Sequence, residues 1–314
     1  MRMWRQVGML LAVALLAIPH VASAAQTGQA DAIEAYAIPG EDVFPEGVAY
    51  QGTTRSFYVS STTDGTIYRA SLDDEEMTEF LPGDTVRTTA VGLAVDQYRR
   101  LFVAGGGTGK ILVYDTLEGD LLAAYDNQQE ETFVNDVAVG RTGDAYVTDS
   151  FYPVIYRISG TPGEGVFFEP WLNLEGTAIE YGDGFNLNGI VVSGDGSYLV
   201  VVQSNTGMLY RITVATQEIT PVDVGDADLT AGDGLVLDGS TLYVVRNQFE
   251  EIVALRMTNT FTQASVTETV TDPSFAYPTT AAVAAGRLLV VNSQFDQRGG
   301  EPSVPFTVSS VDLP

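Results

Sequence analysis

The sequence contains no cysteine, and its single histidine, His20, falls inside an apolar N-terminal segment. Disulfides, zinc-thiolate sites, iron–sulfur clusters and thiol nucleophiles are therefore excluded. Once that segment is removed, Ser-His-Asp catalysis and imidazole-ligated metals are excluded as well. Positive charge is scarce too: 15 Lys and Arg stand against 41 Asp and Glu, a formal net charge of −26. Nucleic-acid binders draw their affinity from basic groups on phosphates, so no nucleic-acid partner is expected. An anionic membrane surface is an equally poor partner. No segment after residue 25 carries a helical period. Any active site must be assembled from carboxylates, amides, hydroxyls, backbone groups and a few arginines. What remains is a chain with 45 % hydrophobic and 18 % charged residues, enough apolar material for a packed core.

The N-terminal segment has three parts: the basic start MRMWRQ, an apolar run from Val7 to Val21, and the small-x-small sequence Ala22-Ser23-Ala24. This is the pattern of a secretory signal peptide. The run is short for a membrane span, and no later stretch is long enough to cross a bilayer. The expectation is a signal peptide over residues 1–24, cut after Ala24, and one domain over residues 25–314. That domain would be secreted or periplasmic, with no membrane span. Without disulfides, its stability must come from the core or from a metal.

A repeat sets the architecture. Six stretches begin at Pro45-Glu46-Gly47-Val48, Ala90-Val91-Gly92-Leu93, Val134-Asn135-Asp136-Val137, Leu187-Asn188-Gly189-Ile190, Gly232-Asp233-Gly234-Leu235 and Pro278-Thr279-Thr280-Ala281. Their second residues follow one another at steps of 45, 44, 53, 45 and 46 residues. Each opens a short apolar strand, followed by a second (SFYVSS, RLFVAG, AYVTDS, YLVVVQS, TLYVVRN, RLLVVNS), a third and a weaker fourth. Val, Ile, Tyr and Phe dominate these runs, with turn residues between them. The sixth unit lacks its own fourth strand, and the segment Ile33–Ile38 is a spare one that can pair beside Val304–Val311. The period, the strand content and this closure predict an all-β, six-bladed β-propeller. An open solenoid is the rival, but it would gain nothing from a displaced strand.

The first strand of a blade lines the central channel, so equivalent positions at its start form a ring at one channel mouth. That ring reads Glu46, Val91, Asn135, Asn188, Asp233 and Thr279. Four of the six are carboxylate or amide oxygen donors. Two carboxylates in a narrow channel repel and lose hydration, a conflict that a bound divalent cation removes. A set made only of oxygens suits Ca²⁺, with another divalent cation as an alternative; Mg²⁺ needs a tighter octahedron and zinc prefers nitrogen or sulfur. Glu46, Asn188 and Asp233 are each followed by glycine, which permits close backbone approach near the axis.

With F-P-E-G-V, N-D-V, N-G-I and D-G-L in this order on units one, three, four and five, the chain resembles the gluconolactonase/SMP-30 (regucalcin) family. Diisopropyl fluorophosphatase is similar, and paraoxonases are more distant relatives. The resemblance implies a six-bladed propeller with a divalent ion, usually Ca²⁺, at the channel, and hydrolysis of lactones or organophosphate esters. It implies that Glu46, Asn188 and Asp233 hold the metal and that Asn135 reaches the metal or the substrate. No histidine is present for the dyad proposed in paraoxonases. The arginine that sugar lactonases carry just before the asparagine is replaced by Phe133 and Val134, which argues against a gluconolactone-like substrate.

A second ring is read at the ends of the second strands: Ser61, Gly105, Asp149, Gln203, Arg246 and Asn292. Within it Asp149 is a candidate general base and Arg246 a candidate oxyanion stabiliser, each set against a purely structural role in an ion pair or a hydrogen bond to a neighbouring blade. Gly105-Gly106-Gly107-Thr108-Gly109 opens no helix and reads as a strand connection, not a phosphate cradle. Phe167, Phe168 and Trp171 read as blade-packing residues. Two functions follow. One is a secreted Ca²⁺-dependent hydrolase of small lactones, esters or phosphotriesters, in which Asp233 or a metal-bound water attacks. The other is a non-catalytic propeller with a structural metal, binding a partner or a polymer through a face of loops.

Overall fold

The structure, a computed structural model, describes Met1, residues 33–160 and residues 167–314. The expected signal peptide lies outside the described residues apart from Met1. Residues 33–314 build six four-stranded antiparallel sheets. Their innermost strands are Pro45–Gln51, Leu93–Val95, Val134–Val139, Leu187–Val192, Gly232–Asp238 and Pro278–Ala284. Each touches the next in sequence, and the sixth returns to the first, which makes a six-bladed propeller. Short helical turns occur at Asn247–Phe249 and Phe295–Gln297. No helix among the described residues is long and apolar enough to cross a membrane.

The core is distributed between blades. Second strands such as Arg100–Ala104 and Ala145–Asp149 are buried along their whole length, whereas the outermost Leu121–Asp126 is largely exposed. Apolar side chains of neighbouring blades interdigitate: Phe102 and Ile111 of blade two lie with Val137 and Val147 of blade three. Phe168 stacks on Tyr125 and Tyr156, and Trp171 packs edge-on against Tyr146. Phe167 departs from the packing role read for it: at the start of the outermost strand it is 67 % exposed among the described residues.

The ring closes as the missing fourth strand implied. Ala35–Ile38 pairs antiparallel with Phe306–Asp312, with Ala35 opposite Ser309 and Ile38 opposite Phe306. Tyr36 and Ile38 are thereby buried between blades six and one, with the Tyr36 ring edge-on to Phe57 at 4.8 Å. Burying two such side chains contributes about 2 kcal/mol each, and the pairing removes an exposed sheet edge.

A regular irregularity positions the site. In five blades the innermost strand carries one extra residue opposite its neighbour: Pro45 faces Ser61 but Val48 faces Val59, and the same slip recurs at Val134/Val137, Leu187/Ile190, Gly232/Leu235 and Pro278/Ala281. A bulge of this kind bends the strand and re-aims the side chain on it. The bulged residues are Glu46, Asn135, Asn188, Asp233 and Thr279, each with the residue that follows it. In blade two the regular strand begins only at Leu93, and Val91 contributes hydrocarbon.

Candidate metal centre and its cavity

Glycine after the donor is what lets the bulges meet. A Cβ on Gly47 would run into the carbonyl oxygen of Val91, one on Gly189 into that of Asp233, and one on Gly234 into the Thr280 side chain. Adjacent innermost strands therefore approach too closely for any side chain there.

Around this tight ring the polar atoms are oriented by their neighbours. The Ser150 hydroxyl gives its one proton to the Leu187 carbonyl (2.6 Å), so it can only accept from the Asn135 amide nitrogen (2.8 Å). The nitrogen end of Asn135 is thus fixed outward and Oδ1 is turned away from it. Ser204 repeats the device, donating to the Gly232 carbonyl and accepting from the Asn188 nitrogen at 3.1 Å. Asp233 Oδ2 accepts from the Asn247 nitrogen at 2.8 Å, and Asn247 is itself oriented because its Oδ1 accepts from the Gln248 N–H at 2.7 Å. Thr279 donates to the Glu46 carbonyl and ties blade six to blade one.

Glu46, Asn135, Asn188 and Asp233 are all buried. Glu46 Oε2 and Asn135 Oδ1 have no hydrogen-bond partner among the described residues. A buried, unpartnered carboxylate oxygen is among the more costly arrangements a protein can hold. The strain shows in the acidities. Burial, then repulsion from Asp233 and Asp136, pushes the Glu46 carboxyl well above the ordinary range. Burial lifts Asp233 to about 7 against the lowering effect of the Asn247 hydrogen bond.

Asp136 was missed by the sequence reading, which took Asn135 as the only donor in N-D-V. It sits where blades one, two, four and five have glycine. Its carboxylate occupies the space over Gly92 and accepts the Val137 N–H at 2.8 Å and the Ile190 N–H at 3.1 Å. Burial raises it to about 7, with those backbone donors pulling the other way. A charged residue at a position otherwise reserved for glycine was the available signal. Asn247 was missed as well, because it lies in the turn after the second strand and outside the repeat.

Neither Asp149 nor Arg246 lines the cavity described below, and nor do Asn135 and Asp233; what sets the first two apart is that their polar atoms are engaged by partners. Asp149 is fully buried with both oxygens engaged. Oδ1 accepts the backbone N–H groups of Phe133, Phe151 and Tyr152 (2.8, 3.0 and 2.9 Å), and Oδ2 accepts from Thr132 and Asn127. Arg246 is paired with Asp228 at 3.1 Å and Glu251 at 2.5 Å, donates to the Thr230 carbonyl, and lies over the Phe249 ring. The structure thus gives both residues the structural partners weighed against their catalytic roles.

Above the ring opens a cavity of about 860 Å³, with Glu46 and Asn188 in its lining. Among the described residues no group of three Asp, Glu, His or Cys side chains gathers to hold a metal by itself. A cation here would need the amide oxygens as well as the carboxylates. The donor chemistry fits a hard cation: oxygens only, two of them orphaned, no Lys or Arg paired with either ring carboxylate.

A model of the SMP-30/Gluconolactonase/LRE-like region matches residues 44–254. No curated protein sequence matches the chain. Among solved structures, the Malassezia sympodialis allergen Mala s 1 is similar at 16 % identity, covering 89 % of this chain and 96 % of its own, with a TM-score of 0.66. The calcium-binding protein regucalcin from Agrobacterium tumefaciens is 16 % identical, covering 89 % and 97 %, with a TM-score of 0.62. Virginiamycin B lyase from Staphylococcus aureus is 15 % identical, covering 89 % and 88 %, with a TM-score of 0.59. At these identities the structural likenesses establish the propeller fold, and the family match spans all four bulged donors. The chain belongs to the SMP-30/gluconolactonase/LRE-like family.

Proposed function

We propose that this protein is an exported, divalent-cation-dependent hydrolase acting on a small lactone or ester, with calcium as the fitting ion. The observation that carries the reading is the pair of buried oxygens without a hydrogen-bond partner among the described residues, Glu46 Oε2 and Asn135 Oδ1, in a ring of which Glu46 and Asn188 line an open cavity. Glu46, Asn188 and Asp233 would hold the cation, with Asn135 completing the set or meeting the substrate. When bound, such an ion supplies Lewis acidity toward a carbonyl or phosphoryl oxygen.

The chain's own groups do the rest. Asn188 and Asn135, pinned by Ser204 and Ser150, hold their oxygens in place before substrate arrives. Asp233 keeps Oδ2 on Asn247, which leaves Oδ1 to accept a proton. Water adds to the acyl carbon, its proton passes to Asp233, the acyl C–O bond breaks, and the proton is returned to the departing oxygen.

The test is a screen of lactones, aryl esters and phosphotriesters with and without EDTA, followed by Asp233→Asn on any active substrate. The proposal expects EDTA-sensitive turnover and a loss on the order of a hundredfold in Asp233→Asn at saturating calcium. Calcium binding with no turnover anywhere in the screen would make the ion structural and the protein a binding propeller.

A further inference from the structure

The cavity has two unlike walls. On one side Phe133, Phe151 and Phe185 form a triangle of rings with centroids 5.0 to 5.7 Å apart. Phe133 and Phe185 line the cavity and Phe151 backs them. Phe151 and Phe185 are each 44 % exposed. Rings clustered yet left open to water keep an apolar face uncovered, which is unfavourable unless something lies on it. The triangle belongs to blades three and four, and Phe185 sits on the connection over residues 174–186, between the fourth strand of one and the first of the next.

Blade six, opposite blade three in a six-membered ring, supplies the other wall. Arg298 lines the cavity there. Its guanidinium lies 4.6 Å from the Phe44 ring centre and 4.7 Å from that of Phe295, and it donates to the Thr62 hydroxyl. Among the described residues no carboxylate forms an ion pair with it, although Asp42 acts on it at longer range. Arg55, Arg100, Arg157, Arg246 and Arg287 all have acid partners. A guanidinium held between rings and without an acid partner is a prepared anion site. The oxygen-donor ring lies between the two walls.

We infer that the cavity takes an amphiphilic anion: a lactone or ester with an aromatic or acyl body against the Phe133–Phe151–Phe185 wall and an anionic group on Arg298. Its scissile carbonyl then lies over the donors. This substrate class rests on the hydrolase reading, while the two subsites are tested by binding alone.

The probes are 2-naphthoate, 2-naphthalenemethanol (the same body without charge) and gluconate (an anion without an apolar body), titrated calorimetrically into calcium-loaded protein. Naphthoate is expected to bind at least about tenfold tighter than either of the others, the scale of one charge-assisted hydrogen bond or one buried ring face. Phe185→Ala should weaken both naphthalene compounds. Arg298→Gln should weaken naphthoate by about tenfold and leave the alcohol unchanged. Both side chains reach the surface, and matching melting curves confirm folding. Gluconate binding as tightly as naphthoate, or naphthoate affinity unmoved in Arg298→Gln, overturns the inference. Selective naphthoate binding by a protein that hydrolyses nothing keeps the two subsites and removes only the hydrolase reading. Turnover of sugar lactones without naphthoate selectivity does the reverse.

Discussion

Two rings in this propeller are built from the same kinds of residue and differ in how their polar atoms are spent. At the ends of the second strands, Asp149 accepts five hydrogen bonds and Arg246 has two carboxylate partners. At the starts of the first strands, Glu46 and Asn135 each keep a buried oxygen with no partner. The first arrangement is complete without anything added. The second is complete only when something positive arrives. A repeat position rich in carboxylates and amides therefore does not identify a site by itself; the unspent lone pair does.

The largest break in this contrast comes from Asp149. Asp149→Ala strands three backbone N–H groups and the side chains of Thr132 and Asn127 and should cost about 3 kcal/mol in chemical denaturation, with or without calcium. Asp233→Asn should leave the metal-free protein as stable as before or more so, since it removes a buried charge from a crowded ring. Equal destabilisation by the two would erase the distinction between the rings.

The next effect is in pH. Asp136 and Asp233 are lifted from 3.8 to about 7 by burial, so the native state binds more protons than the unfolded chain between those values. Their contribution to the stability of the metal-free protein should then be greatest below about pH 4 and be lost as pH rises through about 7, on the order of 4 kcal/mol for each group. Asp136→Asn should flatten the slope in metal-free melts taken across that range. A stability that rises with pH would mean the ring carboxylates are paired after all.

The smallest effect sharpens the orientation argument. Ser150→Ala removes the hydroxyl that fixes the Asn135 amide and frees it to flip. Calcium affinity should drop about fivefold, near 1 kcal/mol, with little change in metal-free melting. Unchanged affinity would place the Asn135 oxygen outside the ion's reach.

The blades, their period and the strand that closes the ring were legible in the sequence, because strand pattern and repeat spacing are local properties of the chain. That the segment ending at Ile38 pairs with the C-terminal strand follows from counting strands. The shared position of Glu46, Asn135, Asn188 and Asp233 was legible for the same reason, since a bulge recurring in five blades keeps its register in the repeat. Partner atoms were not. That Asp149 is saturated depends on Asn127 and on backbone groups of Phe133, Phe151 and Tyr152, which only the folded turn gathers. Asn247 reaches Asp233, and Arg298 reaches the cavity, from the turns that follow the second strands of blades five and six, outside the strand repeat. Asp136 was visible and unread: the residue after the donor deserves as much scrutiny as the donor when it breaks a run of glycines.

The central claim is that the unspent oxygens await a divalent cation. Calcium titrated calorimetrically into EDTA-stripped protein tests it most directly, alongside Glu46→Gln and, as a control from the saturated ring, Arg246→Gln. The account predicts a single site in the wild type and a melting temperature raised by calcium, equivalent to about 2.7 kcal/mol at a hundred times the dissociation constant. Glu46→Gln should lose most of that affinity, and Arg246→Gln should keep it. No heat and no melting shift in the wild type, or undiminished binding in Glu46→Gln, would contradict the account.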